Sequence, residues 1–148
     1  MSGELHIIEK LFDEIRGEGE QAYPNECCGI LLGTLSETGD KTVTRLLPVV
    51  NALRENEQYN RFLITPATML DAEKKARSLK IDVVGFYHSH PDHPAVPSDF
   101  DREHALPFYS YIITAVEKGA GKEVTSWILK DDRSEFIEED IIIIKEGD

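Results

Sequence analysis

Apolar positions along this chain change their spacing several times, and each change marks an expected element. Leu5, Ile7 and Ile8 open as a short strand. Leu11, Phe12 and Ile15 follow at helical spacing in a Glu-rich segment, which predicts a helix from about Glu9 to Tyr23, weakened by Gly17 and Gly19 and closed before Pro24. Cys27 to Leu35 is an apolar run interrupted by Gly29 and Gly33, a pattern that suits a buried strand approached closely by another backbone. A turn at Glu37 to Asp40 and a second strand at Thr42 to Val50 complete a hairpin. Asn51 to Asn60 is polar and aperiodic and reads as surface loop, with Phe62 to Ile64 as a short strand after it. Pro66 takes a helix N1 position, and Met69, Leu70, Ala72, Ala76 and Leu79 supply the apolar positions of a helix ending at Leu79.

The second half is richer in strands. Ile81 to Tyr87 is β-branched and aromatic, as a central strand should be, and it runs straight into His88. A proline-punctuated stretch, Pro91 to Pro97, leads to a short helix from Ser98 to about Leu106, with Ser98 as N-cap and Pro107 as stop. Tyr109 to Val116, Val124 to Leu129, Glu135 to Ile137 and Ile141 to Ile144 read as strands, with turns at Lys118 to Lys122 and Lys130 to Arg133. Three helices among these strands, with no internal repeat and no linker-like shift in composition, imply an α/β fold with a mixed sheet, residues 1–148 forming one domain.

Composition narrows the class. The 148 residues are 41% hydrophobic and 30% charged, as in an ordinary globular protein, and no apolar run reaches the roughly 18 residues of a membrane span. Met1 to Lys10 lacks a basic n-region and a small-residue cleavage site, so a cytoplasmic address is expected and a membrane partner is not. A net charge of −12 opposes a phosphate backbone over most of the surface, which makes nucleic acid a poor partner. The two cysteines, Cys27 and Cys28, are adjacent and build no disulfide framework; buried, reduced thiols are expected.

The chemistry concentrates in Tyr87 to Asp101, Y-H-S-H-P-D-H-P-A-V-P-S-D-F-D. His88 and His90 stand two apart at a strand end, so both side chains leave on one face. Ser98 and Asp101 are three apart at a helix start and share a face as well. If the loop between them folds back, Asp101 joins the histidines. Two imidazoles and one carboxylate with an open fourth position form a catalytic rather than a structural zinc set. Such a site also needs a general base that is not a ligand, and Glu26, just ahead of the buried Cys27 to Leu35 strand, is the candidate. Position alone leaves other glutamates in contention. Ser98 is placed to stabilise a developing oxyanion. Asp92, His93 and Asp99 crowd the same loop as rival ligands but read better as solvated loop residues, and His104, on Asp101's side of the helix, could support that ligand but reads better as a packed helix histidine.

The pattern H-S-H-x7-S-x-x-D, filled by His88, Ser89, His90, Ser98 and Asp101 with Glu26 upstream, resembles the JAMM (MPN-plus) metalloproteases. The stretch Tyr23 to Gly33, Y-P-N-E-C-C-G-I-L-L-G, is similar to their short stand-alone prokaryotic members. The similarity runs from about Leu5 to Ile137. It implies a cytidine-deaminase-like α/β/α fold, a Zn²⁺ held by His88, His90 and Asp101 with a water, Glu26 as acid and base, and Ser98 as oxyanion stabiliser. It further implies cleavage after the C-terminal Gly-Gly of a ubiquitin-like protein, and in the small prokaryotic relatives of a sulfur carrier. An extended carrier tail bound by strand addition is then the expected mode. Oligomeric state is not legible. Two other classes compete. A non-catalytic scaffold of the same fold would lack part of the ligand set, which is complete here. A base deaminase would need H-x-E and P-C-x-x-C, and this chain has neither.

Overall fold

The central strands are apolar at consecutive positions, so that one sheet carries two separate apolar layers. The structure is a computed structural model and describes residues 3–51 and 64–146. In chain order the elements are β1 (Leu5–Ile8), α1 (Glu9–Ala22), β2 (Cys28–Leu35), β3 (Lys41–Val49), α2 (Pro66–Ser78), β4 (Asp82–Pro91), α3 (Asp99–His104), β5 (Ser110–Glu117), β6 (Ala120–Leu129), β7 (Phe136–Glu139) and β8 (Ile141–Ile144). Among the described residues the strands form one mixed sheet in the order β7-β6-β5-β4-β2-β3-β1-β8. β2 runs antiparallel to both β3 and β4, whereas β4 and β5 are parallel.

On one face Leu31, Tyr87, Ile112, Leu5 and Ile7 pack with Ile15 of α1, and on the other Ile30, Leu32, Phe86 and Tyr111 pack under Ala72 and Ala76 of α2. Consecutive residues of β2 thus feed opposite layers, and the result is a mixed sheet flanked by helices, the expected α/β/α architecture. No helix among the described residues is long and apolar enough to cross a membrane.

Several boundaries differ from the sequence reading, each for a tertiary reason. β4 does not stop at Tyr87 but continues through His88 and His90 to Pro91, because β5 runs beside it and pairs His88 with Ile113 and His90 with Ala115. β6 begins at Ala120 rather than Val124. The β5–β6 connection is only Lys118 and Gly119, both at positive φ (50° and 87°), a two-residue hairpin turn in place of the expected five-residue one. β7 lies one residue later than expected at its start and reaches Glu139, whose carboxylate accepts a 2.7 Å bond from the Ser126 hydroxyl. The expected loop after Asn51 and residues 62 and 63 of the expected short strand fall outside the described residues; Ile64 is not in a strand.

The strand glycines serve two different purposes. A Cβ on Gly33 would sit 1.8 Å from the Thr42 carbonyl oxygen, the close backbone approach expected. At Gly29 the neighbour is a side chain instead: a Cβ there would lie 2.1 Å from the Tyr87 ring. Gly29 therefore makes room for Tyr87, whose hydroxyl donates to Glu18 of α1 at 2.8 and 3.0 Å.

Candidate metal centre

The alternation along β4 separates anchoring residues from candidate ligands. Tyr87 and Ser89 face α1; the Ser89 hydroxyl oxygen accepts a 2.8 Å bond from the Cys27 amide, and the Ser89 amide donates to the Cys27 carbonyl at 3.2 Å. His88 and His90 leave from the opposite face and are buried, 1% and 5% exposed. α3 brings the third residue. Ser98 caps it: its Oγ accepts from the Asp101 amide at 3.1 Å, and Asp101 Oδ2 accepts from the Ser98 amide at 2.9 Å. The pair foreseen on one face is thus also the helix cap, which fixes the Asp101 carboxylate.

His88 Nε2, His90 Nε2 and Asp101 Oδ2 form a near-equilateral triangle with edges of 3.1 Å. A tetrahedral Zn²⁺ with bonds of about 2.0 Å spaces its ligands by roughly 3.3 Å, so the triangle is nearly the right size. The donor chemistry fits too. His90 Nδ1 donates to the Pro94 carbonyl at 2.8 Å, so its Nε2 presents a lone pair. Burial holds His88 below its usual value of 6.5 against the pull of Asp101, which favours the neutral imidazole. Burial opposes ionisation of Asp101, but His88 beside it and bonds from His88, His90 and the Ser98 amide outweigh that, holding its carboxyl well below the usual range. Lone pairs of two imidazoles and a carboxylate converging at 3.1 Å are a cation site, and these three residues can bind a metal ion.

Glu26 comes to the same face through strand register. Cys28 pairs with His88 across β2 and β4. Carried two residues further, that antiparallel register sets Glu26 across from His90. Glu26 is 6% exposed, and its Oε1 finds no hydrogen-bonding partner among the described residues. Burial, with a smaller push from the Asp101 charge, raises its carboxyl from 4.5 to about 9.

The rival ligands are excluded by geometry. Asp92, His93 and Asp99 are exposed and lie outside the donor triangle; Asp92 turns instead to Tyr23, whose hydroxyl donates to it at 2.5 Å. His104 does not support Asp101. It stacks on Phe100 with ring centroids 4.1 Å apart and bonds the Phe100 carbonyl through Nδ1 at 2.9 Å. Burial pushes the Cys27 and Cys28 thiols up to about 12, as expected of inert structural cysteines.

Sequence reasoning missed the space beside the donors. A cavity of about 480 Å³ reaches His88 and Asp101 and is walled by Met69, Phe86, Phe100, Tyr111 and Phe136. Its walls come from five separate elements, so no local pattern announces it.

Comparison with known proteins agrees with this fold. Residues 9–130 match the family of prokaryotic homologs of the JAB domain. The chain belongs to that family. The desampylase of Haloferax volcanii is 38% identical over 91 residues, 61% of this chain and 62% of that protein, so the chain spans less than two thirds of this relative. A probable TtuB-protein conjugate cleaving protease of Thermus thermophilus is 28% identical over 74% of this chain and 68% of its own length. The solution structure of a Desulfitobacterium hafniense protein superposes with a TM-score of 0.82 at 31% identity, covering 96% of this chain and 94% of that one. A JAB1/MPN domain protein from Archaeoglobus fulgidus shares the fold at a TM-score of 0.57 and 18% identity, covering 95% of this chain and 100% of its own.

Proposed function

We propose that this JAB-family chain is a zinc metallopeptidase that hydrolyses the peptide or isopeptide bond following the C-terminal Gly-Gly of a ubiquitin-like protein, a sulfur carrier among the candidates. The observation that carries the reading is the union of a three-donor cation site with a buried carboxylate, Glu26, that is not one of the donors. The names of the Haloferax and Thermus relatives, a desampylase and a conjugate-cleaving protease, favour this substrate class.

His88, His90 and Asp101 would hold the ion. When bound, it supplies Lewis acidity toward a carbonyl oxygen and lowers the pKa of water toward about 7. Glu26 takes a proton from the attacking water and returns it to the leaving amine. Burial alone favours its protonated form; a cation held by the three donors would favour the charged carboxylate that accepts the proton, and burial then favours holding that proton until it is returned. Ser98 stabilises the oxyanion. Its Oγ already accepts from the Asp101 amide, which spends a lone pair and leaves the hydroxyl proton free to donate.

β2 and β5 occupy both sides of β4, so β4 itself offers no open edge to an added strand. The tail crosses the face of the sheet, with the aromatic cavity beside His88 to receive an apolar side chain and exclude water. To test the reading, zinc-loaded protein is mixed with a ubiquitin-like protein carrying a residue or peptide beyond its Gly-Gly, and intact mass is followed. Loss of the adduct, absent with Glu26→Gln, is expected. Unchanged mass across a panel of such carriers would overturn it.

A further inference from the structure

The loop between the two halves of the donor set is held from outside by a contact that also reaches the segment carrying Glu26. Asp92 is the first residue beyond β4 and adopts φ 57°, the left-handed region that a side chain such as Asp tolerates only with local support. Three bonds supply it. The Asp92 amide donates to the Val116 carbonyl at 2.7 Å, Oδ1 accepts from the Lys118 amide at 2.7 Å, and Oδ2 accepts from the Tyr23 hydroxyl at 2.5 Å. Two residues on, the Pro94 carbonyl accepts from His90 Nδ1. Ala95, fully buried, then pins the far side, its carbonyl accepting from the Thr125 hydroxyl at 2.7 Å. Pro94 thus hangs between two anchors, and Asp92 is the one nearer β4.

Tyr23 belongs to the other half of the site. It ends α1, its amide donating to the Gly19 carbonyl at 3.2 Å, and the Asn25 amide donates to the Ala22 carbonyl at 2.9 Å to close the turn. Glu26 follows three residues after Tyr23. One carboxylate therefore ties the segment leading to the proposed base to the segment that orients a metal ligand.

We infer that Asp92 and Tyr23 form a clasp that positions His90 through Pro94 and holds Glu26 at its working distance from the donor triangle. Neither residue touches the reacting atoms; both are positioning residues, and the inference rests on the metallopeptidase reading above. Asp92, which on sequence competes as a ligand, acts through His90 instead. The two ends of the clasp have separable consequences. Freeing Asp92 loosens the acceptor that sets the His90 tautomer, so metal binding suffers. Freeing Tyr23 leaves Asp92's bonds to Lys118 and Val116 intact, so the base is affected more than the metal.

The test uses the full chain, stripped with a chelator and reloaded with Zn²⁺ or Co²⁺, as wild type, Asp92→Ala, Asp92→Asn and Tyr23→Phe. Metal affinity is read by competition with a chromophoric chelator, coordination by the Co²⁺ absorption spectrum, and turnover on a Gly-Gly carrier adduct. Asp92→Ala is expected to weaken the metal by about 10- to 100-fold and shift the Co²⁺ bands, as loss of an outer-shell partner does. Asp92→Asn keeps an acceptor for the Lys118 amide and the left-handed preference, and should recover most of that affinity. Tyr23→Phe should hold metal affinity within about threefold while kcat falls about tenfold or more at constant KM. Wild-type affinity and spectrum in Asp92→Ala, or an Asn variant no better than Ala, overturn the clasp alone. A wild-type protein that binds no divalent metal overturns the metallopeptidase reading and the clasp with it.

Discussion

Replacing Glu26 with Gln should change how the metal-free protein responds to pH, by an amount set by burial. The Glu26 carboxyl is 6% exposed and raised from 4.5 to about 9, first by burial and then by Asp101. Without metal, the folded protein keeps a proton at neutral pH that the unfolded chain has released. Between those two values the native state binds more protons than the unfolded state, so stability falls as pH rises. The contribution is whole below about 4.5 and is lost progressively toward about 9. One proton corresponds to a little over 1 kcal/mol per pH unit, or about 3 kcal/mol between roughly pH 5.5 and 7.5. Gln carries no titrating proton, and subtracting its stability from that of wild type cancels the groups that do not interact with Glu26, leaving Glu26 and its coupling to Asp101. Urea unfolding of chelator-treated protein, followed by Trp127 fluorescence, measures both. The wild-type advantage over Glu26→Gln should shrink by about 3 kcal/mol over that range, and loading with Zn²⁺ should flatten the trend, because the cation favours the charged carboxylate. Parallel pH dependences in the metal-free proteins would refute the reasoning, for they would mean that Glu26 is ionised in the fold.

Other outcomes follow from the same geometry. Ser98→Ala removes the α3 cap and the proposed oxyanion donor together, which should cost about 1 kcal/mol in urea unfolding and about 100-fold in kcat. His88→Ala or Asp101→Asn should abolish stoichiometric Zn²⁺ on metal analysis, while chelator treatment of wild type should abolish turnover and added Zn²⁺ restore it. His88 is held below its usual 6.5 and stays neutral at neutral pH, so its lone pair is open to Zn²⁺ there, and Zn²⁺ affinity should fall as acidification protonates it, as a metal-competition titration would show. Gly33→Ala drives a Cβ to 1.8 Å from the Thr42 carbonyl; about 3 kcal/mol of destabilisation is expected in the same unfolding assay.

Much of the donor set was legible because it is local. His88 and His90 need only strand alternation to share a face, and Ser98 and Asp101 need only a helix start. Hydrophobic spacing likewise placed every described helix and strand to within a few residues. Its failures cluster where pairing, rather than propensity, sets the limits: β4 runs on past Tyr87 because β5 offers hydrogen bonds there, and β6 begins early because Lys118 and Gly119 turn in two residues. The error at Gly29 is of the same kind, since only the packing of Tyr87 against Glu18 reveals what the missing side chain makes room for.

What the sequence determined alone, then, is the inventory of donors and the local geometry within each pair, because both depend on backbone periodicity. The tertiary structure decided the meeting of the pairs in a 3.1 Å triangle, the burial that raises Glu26, the aromatic cavity beside His88 and the reach of Asp92 to Tyr23. These contacts join residues from separate elements, and only the sheet order and the folded-back loop bring such residues together.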